Sequence, residues 1–546
     1  MKKTGQNIHV DYLILGGGSA ACVLACRLSE NPILEIALLE AGGQGTDMLV
    51  RAPAAISITV PSQPLKFHNW KYKTTPQQGL NHRQGYQPRG KALGGSSAIN
   101  AMLYVRGNPK DYDSWEAEGC KGWSYKDVLP YFIKSENNEL GKNEFRGNQG
   151  PLHVSNQVSP RPISEIFIKA CEAEHIPANP NYNGGIQDGA FLYQVTQFHS
   201  PEKKGERCSA AAAYLHPVLF RSNLHVFTKA HVCRVLFDGK KAIGAEYIQN
   251  GVTKKIFAKK EVILSAGTFG SPQILLLSGI GPKDELAKHK IIPVQLLPGV
   301  GQNLQDHVDF TLIYNVKTTD VFGIGPIGFI RLLKHIQQWA KNGSGLIASP
   351  MAEVGVFLKS NLDEDIPDIQ LHFVIAKLDD HGRKLHYGYG VSCHLCVLRP
   401  KSKGTVTLQS SDPLVCPNIN PQYLTHEDDM NRMVWATHKV RQIMRSAPLK
   451  AYGVKEIITQ DGTSDHDIRE LIRQRSDTIY HPVGTCKMGI DLMSVVDPEM
   501  RVYGVEGLRV IDASVMPSLI GGNTNAPTIM MAEKMAELIL KNHIPH

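Results

Sequence analysis

An apolar run that ends in three consecutive glycines constrains this chain more than any other stretch. Val10-Asp-Tyr-Leu-Ile-Leu leads into Gly16-Gly-Gly18. Ser19-Ala-Ala21-Cys22-Val-Leu-Ala-Cys26 follows with helical character, and a second apolar run, Ile36-Ala-Leu-Leu, ends at Glu40. Strand, glycine turn, small-residue helix, strand and terminal acid are the parts of a βαβ dinucleotide site. Gly16 permits the tight turn and Gly18 lets the backbone approach a pyrophosphate. Ser19 opens a helix whose unpaired N–H groups face that anion. Glu40, with Ala41 beside it, is placed to accept from ribose hydroxyls. The third glycine position holds Ala21, which the pattern tolerates.

A chain of 546 residues can bury two or more cores, and its 42% apolar and 20% charged content is that of a globular protein. The net charge of +8 is spread without long Lys/Arg tracts, which argues against nucleic acid and leaves an anionic membrane or acidic partner open. Ten scattered cysteines favour a reducing compartment. Cys393 and Cys396 have metal-type spacing, but no second ligand pair follows and their segment alternates like a strand, so they are read as core and no metal site is expected. Lys2 and Lys3 precede only a short apolar run, so no signal peptide is expected, and no apolar segment approaches a membrane span. The location these features suggest is cytoplasmic, with peripheral contact on the inner face of the cell membrane left open.

Further along, Gly94-Gly95-Ser96-Ser-Ala-Ile-Asn100 forms a second glycine-serine turn, either a plain helix start or a surface for a polar ligand. One helix is expected from Asp111 to about Glu136, anchored by Trp115 and Trp123. Dinucleotide-domain character returns between Leu224 and Val232, and again in a strand that enters a short helix bracketed by Ser271-Pro272 and Gly279. From Phe310 to about Thr478 alternating strands dominate. Within them Pro326 to Ala340 carries Ile327, Ile330, Leu333, Ile336 and Trp339 at helical spacing, with Arg331, Lys334 and Lys341 alongside. That stripe either packs on its own domain or lies against a membrane as an interfacial or lid helix. Leu508 to Ser514 reads as a strand ending in Asp512. The last helix presents Ile529, Ala532, Met535, Ala536 and Ile539 on one face.

Two other stretches have the texture of a reacting site. His481 lies next to Pro482 in a Gly-containing turn instead of on a regular element, as a core histidine or as a base. Gly522-Asn523-Thr-Asn525-Ala-Pro527 reads as a helix start capped by Asn525 with Pro527 in its first turn. Its exposed N-terminus would also stabilise a developing anion.

The segment from Gly90 through Asn100 to Gly107 and Asp113, together with Gly267 through Ser278 to Gly281, resembles the two signatures of the glucose-methanol-choline family of FAD-dependent oxidoreductases, and the resemblance runs along essentially the whole chain. It implies an α/β plus α+β architecture. A Rossmann-like FAD-binding domain would be assembled from residues 1–155, 201–310 and 478–546. A substrate domain built on a mostly antiparallel sheet flanked by helices would come from 156–200 and 311–477.

The same resemblance implies that His481 takes a hydroxyl proton while hydride leaves to the flavin, and that Asn523 bonds the substrate oxygen. Gly16, Gly18, Ser19, Glu40, Ala41 and Val232 would hold the ADP half. Gly95, Ser96 and Asn100 would face the isoalloxazine, and Asp512 and Pro527 the pyrophosphate and ring. Ile99 stands where some members carry a histidine bonded covalently to flavin, so FAD is expected to be non-covalent. Glu353 and His372 fall where choline-oxidising relatives place polar pocket residues. Within the family the chain most resembles bacterial dehydrogenases of aliphatic alcohols that act at the membrane and pass electrons to a quinone or another non-NAD acceptor. Choline dehydrogenases are close by. Oxygen-using alcohol oxidases, and lyases that keep flavin only as a scaffold, remain as alternatives.

Overall fold

The computed structural model describes residues 8–63, 67–458 and 463–542, so Lys2 and Lys3 lie outside the described residues. Two large sheets organise the chain. The first has seven strands: Leu224–Phe227, Ile36–Leu39, Ile8–Leu15, Val252–Leu264, Lys241–Gln249 and Ala230–Asp238 in spatial order, with Leu508–Val510 also paired to Val252–Leu264. The strands around Ile8–Leu15 are parallel and the two at the far edge antiparallel. Val252–Leu264 is long enough to serve two neighbours along one edge. Its first half pairs with Lys241–Gln249 and its last residues with Leu508–Val510. The stretch read as continuous from Leu224 to Val232 is split by Lys229, whose φ of +54° turns the chain, and Val232 falls on the second strand.

The helix Ser19–Leu28 packs against this sheet and against the C-terminal helix Asn525–Lys541. Ala20, Ala21, Cys22 and Ala25 are all buried at that contact, where small side chains let the helices approach closely. The pair is closed by a buried charge. Glu533, fully buried, accepts from Arg27 Nε and Nη2 at 2.9 and 2.8 Å and from the Tyr214 hydroxyl at 2.9 Å.

The second sheet is antiparallel and eight-stranded, running Lys455–Glu456, Val308–Asn315, Gly388–Val397, Ile369–Val374, Ala352–Leu358 and Gly189–Leu192, with Gly323–Ile324 and Asp477–Thr478 attached. Helices Pro162–Ala173 and Glu427–Arg445 cover one face. Its strand Val308–Asn315 begins three residues before residue 311, and Asp477–Thr478 carries it to residue 478. Asn418–Asn420 and Thr405–Thr407 form a separate hairpin that packs on Phe269 and Tyr72 of the first half. Cys393 and Cys396 lie in cores on opposite faces of the strand Gly388–Val397, which keeps them from sharing a ligand.

The single helix expected from Asp111 is two, Pro109–Ala117 and Tyr125–Ser135, because Gly119 and Gly122 between them adopt φ of +102° and +81°. The helix expected to begin at Ser271-Pro272 starts earlier, as Gly267–Leu277. Pro272 cannot donate to the Thr268 carbonyl, and the Thr485 hydroxyl takes that place at 2.6 Å. In Pro326–Asn342, Trp339 is buried against Ala54, Ala55 and Ile347 and donates to the Gly205 carbonyl at 2.9 Å. The other side faces solvent: Ile327 is 66% exposed, and Ile330, Leu333 and Ile336 are also exposed. Among the described residues no helix is long and apolar enough to cross a membrane.

Removing one partner of a buried ion pair leaves the other charge uncompensated. Glu533→Ala is therefore expected to lower unfolding stability by about 3–5 kcal/mol, read from urea unfolding followed by far-UV circular dichroism.

Candidate active site

One continuous cavity runs from the first glycine turn to His481. At one end the two glycine turns press together. A Cβ on Gly16 (φ +102°) would lie 2.5 Å from the Ser265 carbonyl oxygen, and one on Gly95 (φ +52°) 2.8 Å from the Gly18 Cα. The Gly94 N–H donates to the Gly17 carbonyl at 2.8 Å, closing the contact. Glu40 sits beneath, accepting from the Gly17 and Gly42 N–H groups at 2.8 and 2.7 Å. Burial pushes its carboxyl up to about 7, against those two donors, which pull it down. Each oxygen keeps a second lone pair for a hydroxyl ligand.

Helices Ser19–Leu28, Gly267–Leu277 and Asn525–Lys541 all begin on the cavity wall, so three positive dipole ends converge there. Ser19 and Asn525 tie two of them together, the Ser19 hydroxyl donating to Asn525 Oδ1 at 2.7 Å. Asn525 is accordingly not the cap expected of it: Thr524 holds the N-cap position, and the Asn525 side chain reaches across to the first helix. Asp512 caps the middle helix, accepting from the Gly267 N–H and the Ser271 hydroxyl at 2.9 and 2.6 Å. Gly18, Ala41, Ser96, Asn100 and Val232 lie on the wall as well, whereas Pro527 is buried inside the first helical turn and does not line the cavity. Asn100 turns its carbonyl inward to the Met102 N–H and Arg207, leaving its amide nitrogen for the cavity side.

At the other end His481, 7% exposed, follows Tyr480, whose left-handed backbone (φ +77°) swings the imidazole out of the strand direction. Asp306 Oδ1 accepts from the His481 backbone N–H at 3.0 Å. His307 Nε2 lies 3.0 Å from the Leu398 carbonyl, which can only accept, so that nitrogen carries the proton. His307 Nδ1 then accepts from His481 Nδ1–H at 3.0 Å. This leaves a lone pair on His481 Nε2, 3.1 Å from Asn523 Nδ2. Burial holds His481 well below the ordinary histidine range, and His307, His372 and Arg89 push in the same direction, so the imidazole is neutral at pH 7.

Around this pair the wall is apolar, with Ile56, Met102, Leu103, Met351, Val374 and Ile479 in one packed cluster. Among the described lining residues the only carboxylates are Glu40 and Asp512, both at the glycine end. Glu353, expected in the pocket, is off the wall. Its carboxylate accepts from the Arg161 N–H and Ser164 hydroxyl at the start of helix Pro162–Ala173 and from the Ser349 hydroxyl, at 2.7, 2.7 and 2.9 Å. An anion at a helix N-terminus with three donors has a structural reason to be there. His372 is on the wall, its Nδ1 2.9 Å from the Tyr193 hydroxyl and its Nε2 buried without a partner. Burial pushes it down to about 3.

Several wall residues escaped the sequence. Arg89 lines the cavity with Nε and Nη2 buried and unpartnered, a cation waiting for an acceptor. Residues 413–416 close the glycine end beside Val232, carried there by the hairpin that leaves the second sheet. Neither segment has a local motif. Gln370, whose amide lies 3.2 Å from Asn523 Oδ1, did have a signal: it sits two residues before His372 on one strand and so shares its face.

Residues 10–309 match the N-terminal family model for GMC oxidoreductases and residues 400–532 the C-terminal one. The chain is 43% identical to the alcohol dehydrogenase [acceptor] of Pseudomonas putida, over 97% of this chain and 96% of that one. It is 41% identical to the mitochondrial choline dehydrogenase of Homo sapiens, over 97% and 89% of the respective lengths. A variant of Aspergillus oryzae formate oxidase, solved for its effect on FAD modification, superimposes with a TM-score of 0.90 at 27% identity, covering 99% of both chains.

Because the two turns meet backbone to backbone, a branched side chain at Gly95 must force them apart, at a cost of about 1–3 kcal/mol. Gly95→Val is expected to fold with native far-UV circular dichroism and to be purified with much less flavin per chain, read from the visible absorbance after denaturation.

Proposed function

The chain belongs to the GMC oxidoreductase family, and within it we propose that this protein oxidises uncharged primary alcohols, aliphatic ones foremost, to aldehydes and passes the electrons to a quinone or another non-NAD acceptor. FAD is the cofactor of the family, and the residues present suit it. The backbone-to-backbone packing that Gly16 and Gly95 permit, with Ser19 and three helix N-termini beside it on the wall, suits the pyrophosphate. Glu40 suits the ribose, and the positive charge of Arg89 on the wall suits a ring that gains negative charge. Gly95, Ser96 and Asn100 would flank that ring. Ile99 on the wall offers no nucleophile, which supports non-covalent binding. The first sheet and its flanking helices would be the cofactor half and the antiparallel sheet the substrate half.

FAD held by these residues would supply the two-electron oxidant for loss of hydride from the alcohol carbon. His481 Nε2 accepts the hydroxyl proton, and the Asn523 amide donates to the oxygen as it gains charge. The apolar cluster excludes water and strengthens both contacts. The observation that carries the substrate class is the wall itself: among the described residues no carboxylate lines the cavity beside His481, where Asp306 meets only the backbone N–H from off the wall, and Glu353 is engaged elsewhere. A quaternary ammonium would meet no anion there. The relatives named for alcohol and for choline lie at nearly equal identity, so this local chemistry is what separates the two readings.

Anaerobic mixing with a series of primary alcohols and with choline tests it. Flavin bleaching should be fast with medium-chain alcohols and slow with choline; the reverse order refutes the substrate assignment. His481→Ala should keep its FAD and lose roughly 10²–10⁴-fold in bleaching rate. The base must be neutral to act. Because His481 titrates well below 6.5, the bleaching rate should fall only at pH values well under 6.5 and stay flat above that limb.

The stripe Ile327, Ile330, Leu333 and Ile336, with exposed Lys334 and Lys341 alongside and exposed Tyr387 at the helix start, supports peripheral seating on an anionic bilayer. Co-sedimentation with phosphatidylglycerol vesicles should weaken about tenfold or more in the Ile330→Ser, Leu333→Ser double variant. Equal binding of native protein and variant refutes this seating.

A further inference from the structure

The hydrogen bonds that leave a lone pair on His481 do not stop at Asn523. Asn523 donates to His481 through Nδ2, so its Oδ1 faces away from the histidine and needs a donor of its own. That donor is Gln370 Nε2, at 3.2 Å. The same nitrogen lies 3.0 Å from the Tyr193 hydroxyl oxygen, and an amide nitrogen carries two protons, one for each. Having accepted from Gln370, Tyr193 directs its own proton to His372 Nδ1 at 2.9 Å. In a neutral imidazole the ring proton then sits on Nε2, an atom buried without a partner.

We propose that Gln370 is a positioning residue: it sets which end of the Asn523 amide faces His481 and, through Tyr193, which ring nitrogen of His372 carries the proton. This rests on the reading of His481 and Asn523 as the reacting pair.

The opposite arrangement fails at each step. Turning the Gln370 amide alone sets its carbonyl against the Asn523 carbonyl. Turning both sets the Asn523 carbonyl against the lone pair of His481 Nε2, which the Leu398 carbonyl enforces from the far side through His307. One backbone carbonyl and one glutamine therefore hold five side chains in a single sense. A bound hydroxyl would take the single lone pair of His481 Nε2 in place of Asn523, and the Asn523 Nδ2 protons would then be free to turn to the hydroxyl oxygen. Burial keeps both histidines neutral, which the arrangement requires. The groups facing His481 from all sides are His307, His372, Arg89 and, at its backbone, Asp306.

The test is a double-mutant cycle with the FAD-loaded enzyme, read as the limiting rate of anaerobic flavin bleaching by 1-hexanol. Gln370→Met keeps the length and removes the donor. It should slow bleaching about tenfold, the size of one orienting hydrogen bond, with FAD content unchanged. In the Asn523→Ala background the same substitution should change nothing further, because Gln370 acts through Asn523. Losses that multiply, or a native rate in Gln370→Met, overturn the proposal. Independently of any Gln370 variant, ¹⁵N-histidine spectra of the native holoenzyme, assigned with His372→Gln and His481→Ala, should show His481 protonated at Nδ1 and His372 at Nε2. His372 protonated at Nδ1 overturns it too. A native bleaching rate in His481→Ala would defeat the reacting pair itself. A loss there alongside a native rate in Gln370→Met defeats only the role of Gln370.

Discussion

No methyl group fits between Gly95 and Gly18, nor between Gly16 and the Ser265 carbonyl, and most of the architecture follows from those two close approaches. They bring three stretches far apart in the chain into backbone contact at one end of the first sheet. Once the turns touch, the helix after Gly18 and the helix after Gly267 start side by side, and the Ser19–Asn525 hydrogen bond brings in a third. A concentration of positive helix ends with no water between the turns is an anion site by construction. The buried Arg27–Glu533 pair acts at the other end of the same contact, so the two helices are held both where they begin and along their length.

The opposite end of the cavity is built on a different principle. There the backbone contributes little beyond one carbonyl, and polarity is carried by side chains handed from one to the next: Leu398, His307, His481, Asn523. In an apolar enclosure such a chain is stiff, because any member that turns leaves a buried donor facing a donor or an acceptor facing an acceptor. The lone pair on His481 Nε2 is thus set by Leu398 and His307, neither of which lines the cavity. The same enclosure explains why Glu353 is where it is. A carboxylate with three donors at a helix start is stable there and would not be on the apolar wall.

What the sequence made legible divides along these lines. The βαβ unit was readable because it is local: apolar run, Gly16, Gly18, Glu40 follow each other at the spacing the backbone geometry demands. The roles proposed for His481 and Asn523 rest on the family resemblance, since a His-Pro turn and an Asn before a helix are ordinary on their own. Their supporting residues were hidden for a physical reason. His307 and Arg89 work through contacts with partners far away in the chain, and nothing in their neighbours' periodicity marks them. Asn525 misled because a good cap residue at a helix start usually caps; here the cross-helix bond to Ser19 wins. Pro527 was placed on the wall by resemblance, whereas the first helical turn buries it. The helix break after Ala117 was visible in Gly119 and Gly122, which need positive φ, and was overridden by the run of aromatic anchors on either side.

The pairing of Leu508–Val510 with Val252–Leu264 has a consequence for how the protein is made. The first sheet begins at residue 8 and gains its last strand only beyond residue 500, and the helix that completes the anion site follows later still. On a ribosome the early strands emerge long before that partner exists, so the sheet waits with one edge open and its long-range contacts unmade. The pocket cannot close until that strand and helix have been made, and a chain without them carries the whole glycine fingerprint without the site it belongs to.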